Sequence, residues 1–378
     1  MLSFSDSVAS QARANFGMVD IQSDMFTAFY EALRALPSVD VMLLNDMPQP
    51  SGGPGQGRDR HRSIIITSGD ISLELIPIIR REVFPRDARA ILWELQQWME
   101  TVDQGQTIQV PIVVARGISA GARSILREAG ASYYDLTGSF YLLAKGLYLF
   151  VDKPAPKRLV KLSQALFTGL RRRIVHRLLE HPETWFSVAD LAYRAGASTA
   201  TTSQTLLLLE KHEWVEASGR GPTKRRRLLN PGSLADAWAE SRRLERNKTA
   251  HLFTVPTNLL ERPFAAVLAE HCAHKGWVYA FTDLVAGQLH LGRELNAQRM
   301  TCYLAFNENV DNLLTELGSM RSDKGNLTVV PMPNDPSWIE CVTVEEIRIV
   351  DPIEVYIDLI ADGETAVALE IRKSLLPF

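Results

Sequence analysis

Apolar runs in the first part of the chain predict an α/β arrangement. Gln109–Ala115, which reads QVPIVVA, is nearly continuous in apolar residues, a pattern typical of a strand buried on both faces. Ser63–Thr67 and Ile71–Ile76 are shorter apolar segments on either side of a Ser-Gly-Asp turn, which is a hairpin signal. Asp87–Thr101 and Ser119–Ala129 have helical spacing, and the second begins with a capping serine. Strands and helices in this order predict a sheet covered by helices.

The remainder of the chain divides into a helical middle and a second α/β region. Ser163–Glu180 predicts one long helix with an apolar stripe, and helices alternate with strands again from Arg262 onward. Between these regions, Ser233–Lys248 reads as a polar helix of alternating charge, which we interpret as a connector or a dimer contact. The fold class is therefore predicted to be multi-domain α/β. We predict domains at residues 1–152, 153–232 and 233–378.

The segment Ser187–Leu229 has the element order of a winged helix-turn-helix. An amphipathic helix begins at Val188, and Gly196 breaks it. A second helix, Ser198–Lys211, follows directly, and a basic hairpin that turns at Gly219–Pro222 closes the segment. This order is typical of a module that places its second helix in the major groove of DNA.

Residue types in this segment predict which side chains contact DNA. Short hydroxyl and amide side chains on the exposed half of the second helix can reach base edges. Those predicted to read bases are Thr199, Thr201, Gln204 and Thr205. Those predicted to contact the backbone are Ser198, which also caps the helix, with Arg220, Lys224, Arg225, Arg226, Arg171 and Arg172.

Three alternatives stay open at this stage. Gln204 suits the adenine edge and a phosphate about equally well. Arg171 and Arg172 belong either to a solvated helix face or to a pair of backbone clamps. The third alternative, in place of DNA binding, is a winged helix that contacts only other proteins. Its basic run would then be a solvated edge.

Charge favours DNA binding over a protein contact. Residues 157–230 contain 14 Lys and Arg against 6 Asp and Glu, a net charge of +8, whereas the whole chain carries −3. A basic region between acidic flanks is the pattern expected of a module that binds duplex DNA.

Composition indicates which other classes of protein and of binding site are not expected. No apolar run approaches the length of a membrane span, so we expect no membrane association. Cys272, Cys302 and Cys341 are isolated and odd in number, which indicates reduced thiols in a cytoplasmic protein. His271, His274 and His290 have no cysteine or carboxylate at ligand spacing, so we expect no metal site. We also expect no cofactor.

The N-terminal region resembles restriction-endonuclease-like domains that precede winged helices in bacterial regulators similar to AbiEi-type antitoxins. The resemblance lies in residues 112–116, Ser119, residues 126–130 and residues 134–139. Active members of that fold hold a divalent cation with an acidic residue and a Glu-x-Lys motif. Glu74 matches the glutamate, and Asp40 or Asp70 could be its partner, but Ile76 occupies the lysine position. The resemblance thus implies a degenerate domain without catalytic residues, and we expect no enzyme activity.

The C-terminal region also resembles the AbiEi-type family. Tyr279–Ala286 corresponds to an Ala-Leu-Thr-Gly-like start, and Val350–Leu359 is similar to a Ser-Pro-x-Gln-x-Tyr-x-Asp-Leu pattern. This chain has Asp283 in place of the glycine, Asp351 in place of the serine and Glu354 in place of the glutamine.

The resemblance implies a transcriptional regulator that binds double-stranded DNA. In some members such a regulator also controls its own operon and neutralises a cognate toxin protein. We expect a homodimer on an inverted repeat. A DNA nuclease and a toxin-neutralising interaction protein are the alternatives.

Overall fold

A computed structural model describes residues 24–44, 63–101, 107–255, 264–295, 299–305, 310–332, 335 and 339–378. The chain forms two compact units. One contains the described residues up to Ser163 together with Lys211–Glu213, and the other contains Gln164–Glu210 and Trp214–Phe378. Both combine helices with sheets, so the predicted α/β class is confirmed.

The first unit is built on a seven-stranded sheet in which the strands follow chain order. Its elements are helix α1 at residues 24–34, β1 (Asp40–Leu44), β2 (Ser63–Ser68), β3 (Ile71–Val83), α2 (Pro85–Thr101), β4 (Ile108–Ile118), α3 (Ala120–Glu128), β5 (Ser132–Asp135), β6 (Phe140–Ala144), β7 (Leu147–Val151) and α4 (Lys157–Gln164). Strands β3, β4 and β5 are parallel, and the other neighbouring pairs are antiparallel.

The central strand β4 is buried on both faces, as its apolar run predicts. Ile112 and Val114 point into a core shared with α1, where Phe29 packs. Val113 and Ala115 point into the opposite core, which contains residues of α2 and α3. The alternation along one strand thus fills two hydrophobic layers.

The second unit combines a helical region, a two-stranded sheet and a second seven-stranded sheet. Its elements are α5 (Gly169–Glu180), α6 (Val188–Ala195), α7 (Thr199–Lys211), β8 (Val215–Ser218), β9 (Arg225–Leu228), α8 (Pro231–Thr249), β10 (His251–Thr254), α9 (Phe264–Lys275), β11 (Tyr279–Thr282), α10 (Asp283–Leu291), β12 (Met300–Leu304), α11 (Val310–Glu316), β13 (Met320–Arg321), β14 (Leu327–Pro331), β15 (Cys341–Val344), β16 (Ile347–Val350), α12 (Pro352–Asp362) and α13 (Thr365–Leu375). The larger sheet has the order β13-β10-β14-β12-β11-β16-β15.

The long helix predicted over Ser163–Glu180 is wrong. The chain forms α4, then a short 3₁₀ turn at Ala165–Phe167, and then α5. Gly169 has a φ of +52°, in the left-handed region, at the first residue of α5. A right-handed helix cannot continue through this conformation, which the apolar stripe alone does not reveal.

Helix α8 packs one face into the core, which its alternating charge does not predict. Leu234, Ala235, Trp238 and Ala239 on this helix are buried. The Trp238 ring stacks on Phe167 with 5.8 Å between ring centroids. Residues of the helical region and of the C-terminal sheet thereby belong to one continuous hydrophobic core. No described helix is long and apolar enough to cross a membrane.

Candidate nucleic-acid interface

The turn between α6 and α7 is fixed by two serine caps and a glycine. Ser187 Oγ accepts a hydrogen bond from the Asp190 backbone N–H at 3.1 Å, and Ser198 Oγ accepts one from the Thr201 backbone N–H at 3.1 Å. Gly196 ends α6 with a φ of +61°, where a side chain would be strained. The sequence positions of serine and glycine therefore set where one helix stops and the next begins.

The outward face of α7 carries part of the predicted base-reading set. Thr199 and Gln204 are exposed, and Thr201 is half-exposed with its Oγ1 accepting a hydrogen bond from Ser198 Oγ at 2.9 Å. Ser203, which was not among the predicted residues, is also half-exposed and lies one turn after Thr199. Helical spacing i, i+4 puts Thr199 and Ser203 on one face, a signal that the sequence contained.

Thr205 is not available for base reading, and its predicted role is wrong. Its side chain is 1% exposed, and its Oγ1 donates to the Thr201 carbonyl at 2.8 Å. Thr202 is buried in the same way and donates to the Ser198 carbonyl at 3.0 Å. Both hydroxyls satisfy the helix's own backbone, which makes burial of these polar residues inexpensive.

The basic hairpin presents two arginines to solvent. Strands β8 and β9 are antiparallel, with Ser218 opposite Arg225 at the turn end. Arg220, in the turn, and Arg225, at the start of β9, are both exposed. The Arg225 side chain is near enough to α6 to contribute to a lowered pKa of Asp190, whose main cause is a hydrogen bond from Ser187. This part of the predicted backbone-contacting set is accessible.

Arg226 points the other way and is a structural residue, so its predicted DNA contact is wrong. The residue is 6% exposed, and Nε donates to Glu210 Oε1 at 2.9 Å. Lys224, half-buried, contacts the same carboxylate with Nζ at 2.9 Å from Oε1. Burial raises the pKa of Glu210, but hydrogen bonds from Lys224 and Arg226 outweigh it and the pKa is lowered. Glu210 near the end of α7 therefore ties the hairpin to the helix.

Arg227, on the outer side of the hairpin, is paired as well. Its guanidinium contacts Glu216 at 2.6 Å and Glu183 at 3.2 Å, and it lies over the Trp185 ring at 5.0 Å. Strand alternation thus turns Lys224 and Arg226 toward Glu210, and Arg225 and Arg227 toward the opposite face. Arg225 is exposed, while the other three contact carboxylates of the unit.

On α5 the two predicted arginines separate. Arg171 is half-exposed, in keeping with a backbone contact, whereas Arg172 is buried beside Glu354 with 3.6 Å between Nε and Oε1. The prediction that Arg172 contacts the DNA backbone is therefore wrong. The neighbouring His176 is also buried, with Nε2 in direct contact with Asp351 Oδ2.

Arg172 belongs to a buried ionic cluster formed by α5, α8 and α12. Arg242 from α8 donates to Glu354 at 2.7 Å and lies 3.2 Å from Asp358. Arg246 lies 2.9 Å from the same aspartate. Burial raises the pKa of Glu354, but the charges of Arg172 and Arg242 reverse this and the pKa is lowered. Charged groups this deep are stable only when paired, as they are here.

His176 has carboxylates beside both ring nitrogens. Asp351 contacts Nε2, and Glu180 Oε1 lies 3.8 Å from Nδ1. Burial lowers the pKa of His176, but Asp351 outweighs it, so the pKa is raised. Ligand atoms of these three residues lie within 4.8 Å of one another. Arg177 already contacts Glu180 at 2.6 Å, and we interpret the group as an ion-pair network.

The comparison with protein families decides how the C-terminal region is classified. Residues 227–374 match the family model described as "Transcriptional regulator, AbiEi antitoxin, Type IV TA system". Over these residues, the resemblance to the AbiEi antitoxins is confirmed. Among curated proteins no match is found.

The AbiEi-like motif at 350–359 is mostly buried, and its departures from the family pattern have structural reasons. Asp351 Oδ1 accepts the Glu354 backbone N–H at 2.9 Å and caps α12, a role that serine also performs. Glu354 provides the negative charge between Arg172 and Arg242, where a glutamine would only donate and accept hydrogen bonds. Both substitutions are thus compatible with the same fold.

Asp283, in the other AbiEi-like segment at 279–286, is the third residue that departs from the family pattern, which has glycine at this position. Its φ is +58°, in the region that glycine adopts freely and that aspartate tolerates better than most residues. The side chain is buried and accepts a hydrogen bond from Thr301 Oγ1 at 3.2 Å. Burial, followed by the negative charge of Asp362, raises the pKa of Asp283. The glycine of the family pattern therefore reflects a backbone requirement at this turn.

The N-terminal candidates for a nuclease centre are dispersed. Glu74 on β3 is half-buried and accepts a hydrogen bond from Gln109 Nε2 at 2.9 Å. Asp40 pairs with Thr67, which puts it two strands away, roughly 10 Å at ordinary strand spacing. Asp70 is exposed in the β2–β3 turn. Ile76 stands at the predicted position on β3, where a lysine is needed.

Proposed function

We propose that this protein is a transcriptional regulator of the AbiEi antitoxin type that binds double-stranded DNA through α7 and the β8–β9 hairpin. The observation that carries the proposal is the outward face of α7, where Thr199, Ser203 and Gln204 present hydroxyl and amide groups beside an N-terminal cap. The exposed Arg220 and Arg225 extend this surface with positive charge. The family model's description as a transcriptional regulator supports the same reading.

The interface divides into two kinds of contact. Side chains of α7 would enter the major groove and read bases, while Arg220, Arg225 and Arg171 would bind phosphates on either side. Ser198 would add a contact to the backbone near the helix start, where unpaired N–H groups favour an anion. We propose a homodimer on an inverted repeat, acting in the cytoplasm where its DNA lies.

The proposal is tested by selecting binding sites from a pool of randomised duplexes and then titrating salt. Replacing Arg220 and Arg225 with alanine should weaken binding to every duplex. The salt dependence should flatten by about one unit of slope for each phosphate that the variant no longer binds. Arg243→Ala is the matched control, because this exposed arginine on α8 pairs with Glu240 of the same helix and is not among the proposed contacts. An unchanged slope for the double variant excludes the hairpin from the interface, and a pool without enrichment rejects sequence-specific binding.

We further propose that the N-terminal unit has no nuclease activity. A catalytic cation site needs its carboxylates together, and Glu74 and Asp40 lie two strands apart. Plasmid incubated with the protein and Mg²⁺ or Mn²⁺ should stay intact. Cleavage that disappears in Glu74→Ala would contradict this proposal.

A second function is supported by the family description, which includes the word antitoxin. We propose that the protein neutralises the effect of a cognate toxin protein and that the C-terminal region carries this role. Co-expression with the product of the adjacent open reading frame, with growth of the host as the readout, tests this second function independently of DNA binding. If co-expression does not restore growth, the antitoxin role is rejected while the regulator role stands.

A further inference from the structure

Strand β7 leaves one edge of the N-terminal sheet open. In the described part of the chain, β7 pairs with β6 and no strand follows it in the sheet. An open edge exposes unpaired backbone donors and acceptors, and proteins usually protect it with charges, proline or a bulge. The sequence of β7, LYLFV, contains no charge and no proline. This edge is therefore suited to pair with another strand.

The side chains of β7 divide into an inner and an outer set. Leu147 and Leu149 pack against the hydrophobic core of the unit. Tyr148 and Phe150 point to the other face and are 64% and 42% exposed. Both contact Tyr141 edge-to-face, with 6.1 Å and 6.2 Å between ring centroids. The outer aromatic rings are thus held in place, which lowers the entropic cost of a contact.

The backbone direction at this edge follows from the β6–β7 register. The Leu143 N–H donates to Ser132 Oγ on the β5 side, so it does not face β7. Leu143 pairs with Tyr148, and that pair is therefore the non-hydrogen-bonded kind. Pairs of the two kinds alternate in an antiparallel ladder. Hence the peptide groups of Tyr148 and Phe150 face the open edge.

We propose that β7 pairs antiparallel with β7 of a second copy of this chain, with Leu149 on the two-fold axis. This register places Tyr148 opposite Phe150 of the partner subunit and joins two residues whose peptide groups both face outward. Each of the two symmetric pairs then exchanges two hydrogen bonds, and its aromatic rings form a cross-strand pair. Strand β7 itself carries no charge, so the paired strands bring no like charges opposite each other. Arg127 lies over the Phe150 ring at 5.5 Å, so a guanidinium borders each aromatic pair. The choice of a second copy as partner rests on the proposed function, because a dimer on an inverted repeat needs a two-fold axis.

The first test measures the oligomeric state of the full chain by light scattering over a range of concentrations. We expect a dimer for the wild type and a monomer for Tyr148→Lys, since a lysine there would face its partner's aromatic residue across the axis. Met42→Lys is the matched control, because Met42 is 56% exposed on β1, the opposite edge strand, and it should stay dimeric. A monomeric wild type, or a dimeric Tyr148→Lys, overturns the proposal.

A second test fixes the register and does not depend on weakening the interface. Leu149→Cys places two cysteines directly opposite each other in a non-hydrogen-bonded pair, with Cα atoms about 4.5 Å apart, within disulfide range. Mild oxidation should yield a covalent dimer for Leu149→Cys and none for Tyr148→Cys, whose copies do not face each other. Equal cross-linking of the two variants, or none of either, overturns the register and the proposal. Duplex binding by the monomeric Tyr148→Lys protein separates this inference from the proposed function, since a single half-site should still be bound.

Discussion

At the scale of single residues, Gln204 decides whether α7 reads sequence. It is the longest polar side chain exposed on the first half of that helix, and its amide can donate and accept together at an adenine edge. We expect Gln204→Ala to relax the preference at one position of each half-site, by about 1–3 kcal/mol, while nonspecific affinity is nearly unchanged. Binding-site selection on wild type and variant measures this. Identical preferences with uniformly lower affinity would assign Gln204 to phosphate.

The buried Asp283 side chain predicts how the stability of the folded protein depends on pH. Its pKa in the folded protein is raised, so the folded state holds a proton that the unfolded state releases. Stability should therefore fall as pH rises above the ordinary aspartate pKa, and level off above the raised one. Asp283→Asn removes this cost and tolerates the positive φ, so its melting temperature should exceed that of the wild type by a margin that grows with pH. Asp323→Asn, at an exposed aspartate, is the control. A margin that is constant with pH contradicts the assignment.

From the sequence, the cap and the exposed half of α7 could be predicted. The direction in which each polar side chain of α7 and the hairpin points could not. Ser198 caps the helix and Gln204 faces solvent, because both properties follow from local spacing. The predictions for Thr205 and Arg226 are wrong, since whether a polar residue points outward depends on which face of its element packs against the core. Their partners, a backbone carbonyl and Glu210, could be found only with the chain folded.

At the scale of elements, the hairpin's position depends on Glu210. This buried carboxylate holds Lys224 and Arg226, so its removal leaves Arg226 buried without its counter-charge. We expect Glu210→Gln to lower the free energy of unfolding by about 3–5 kcal/mol, as for other broken buried pairs. Binding should weaken for all duplexes without a change in sequence preference, because the hairpin is proposed to bind phosphate.

Glu216→Gln is the matched control for that prediction. Glu216 pairs with Arg227 at the hairpin surface, where an ion pair is worth about 0–1 kcal/mol. Denaturant titration and fluorescence anisotropy on both variants provide the two readouts. If the two substitutions cost the same, Glu210 does not position the hairpin.

Most helices and strands could be predicted from the spacing of apolar residues. Where a prediction is wrong, there is a physical reason for it. The strand at Gln109–Ala115 is recognisable because burial on both faces demands continuous apolar residues. The break at Gly169 was hidden, because the apolar stripe has helical spacing on both sides of it. The alternating charge of α8 predicts a polar connector or dimer contact, whereas Arg242 and Arg246 are buried against acidic partners.

At the scale of the molecule, the proposed DNA-binding elements and the AbiEi-like region form one unit. Arg172 and His176 on α5 contact Glu354 and Asp351 on α12, and Trp238 on α8 belongs to the shared hydrophobic core. The sequence could not show this, since the contacting residues are far apart in the chain and each charge reads as exposed on its own helix. The predicted boundary at 232/233 falls between segments that share this core.

Arg172 tests whether the two regions unfold together. Removing this side chain leaves Glu354 buried with Arg242 as its nearest cation, so Arg172→Ala should lower the free energy of unfolding by about 3–5 kcal/mol. Arg171→Ala, the half-exposed neighbour on the same helix, should change it by less than about 0.5 kcal/mol. Trp185, before α6, and Trp277, before β11, report on the two regions when the other tryptophans are replaced by phenylalanine.

The prediction is that both reporters shift together. A single core makes the unit cooperative, so denaturant midpoints seen by Trp185 and Trp277 should coincide in the wild type and fall by the same amount in Arg172→Ala. A midpoint that falls at Trp185 alone would mean that α5 and its helices unfold separately from the AbiEi-like region. In that case the buried ion pairs would hold two independent domains in contact.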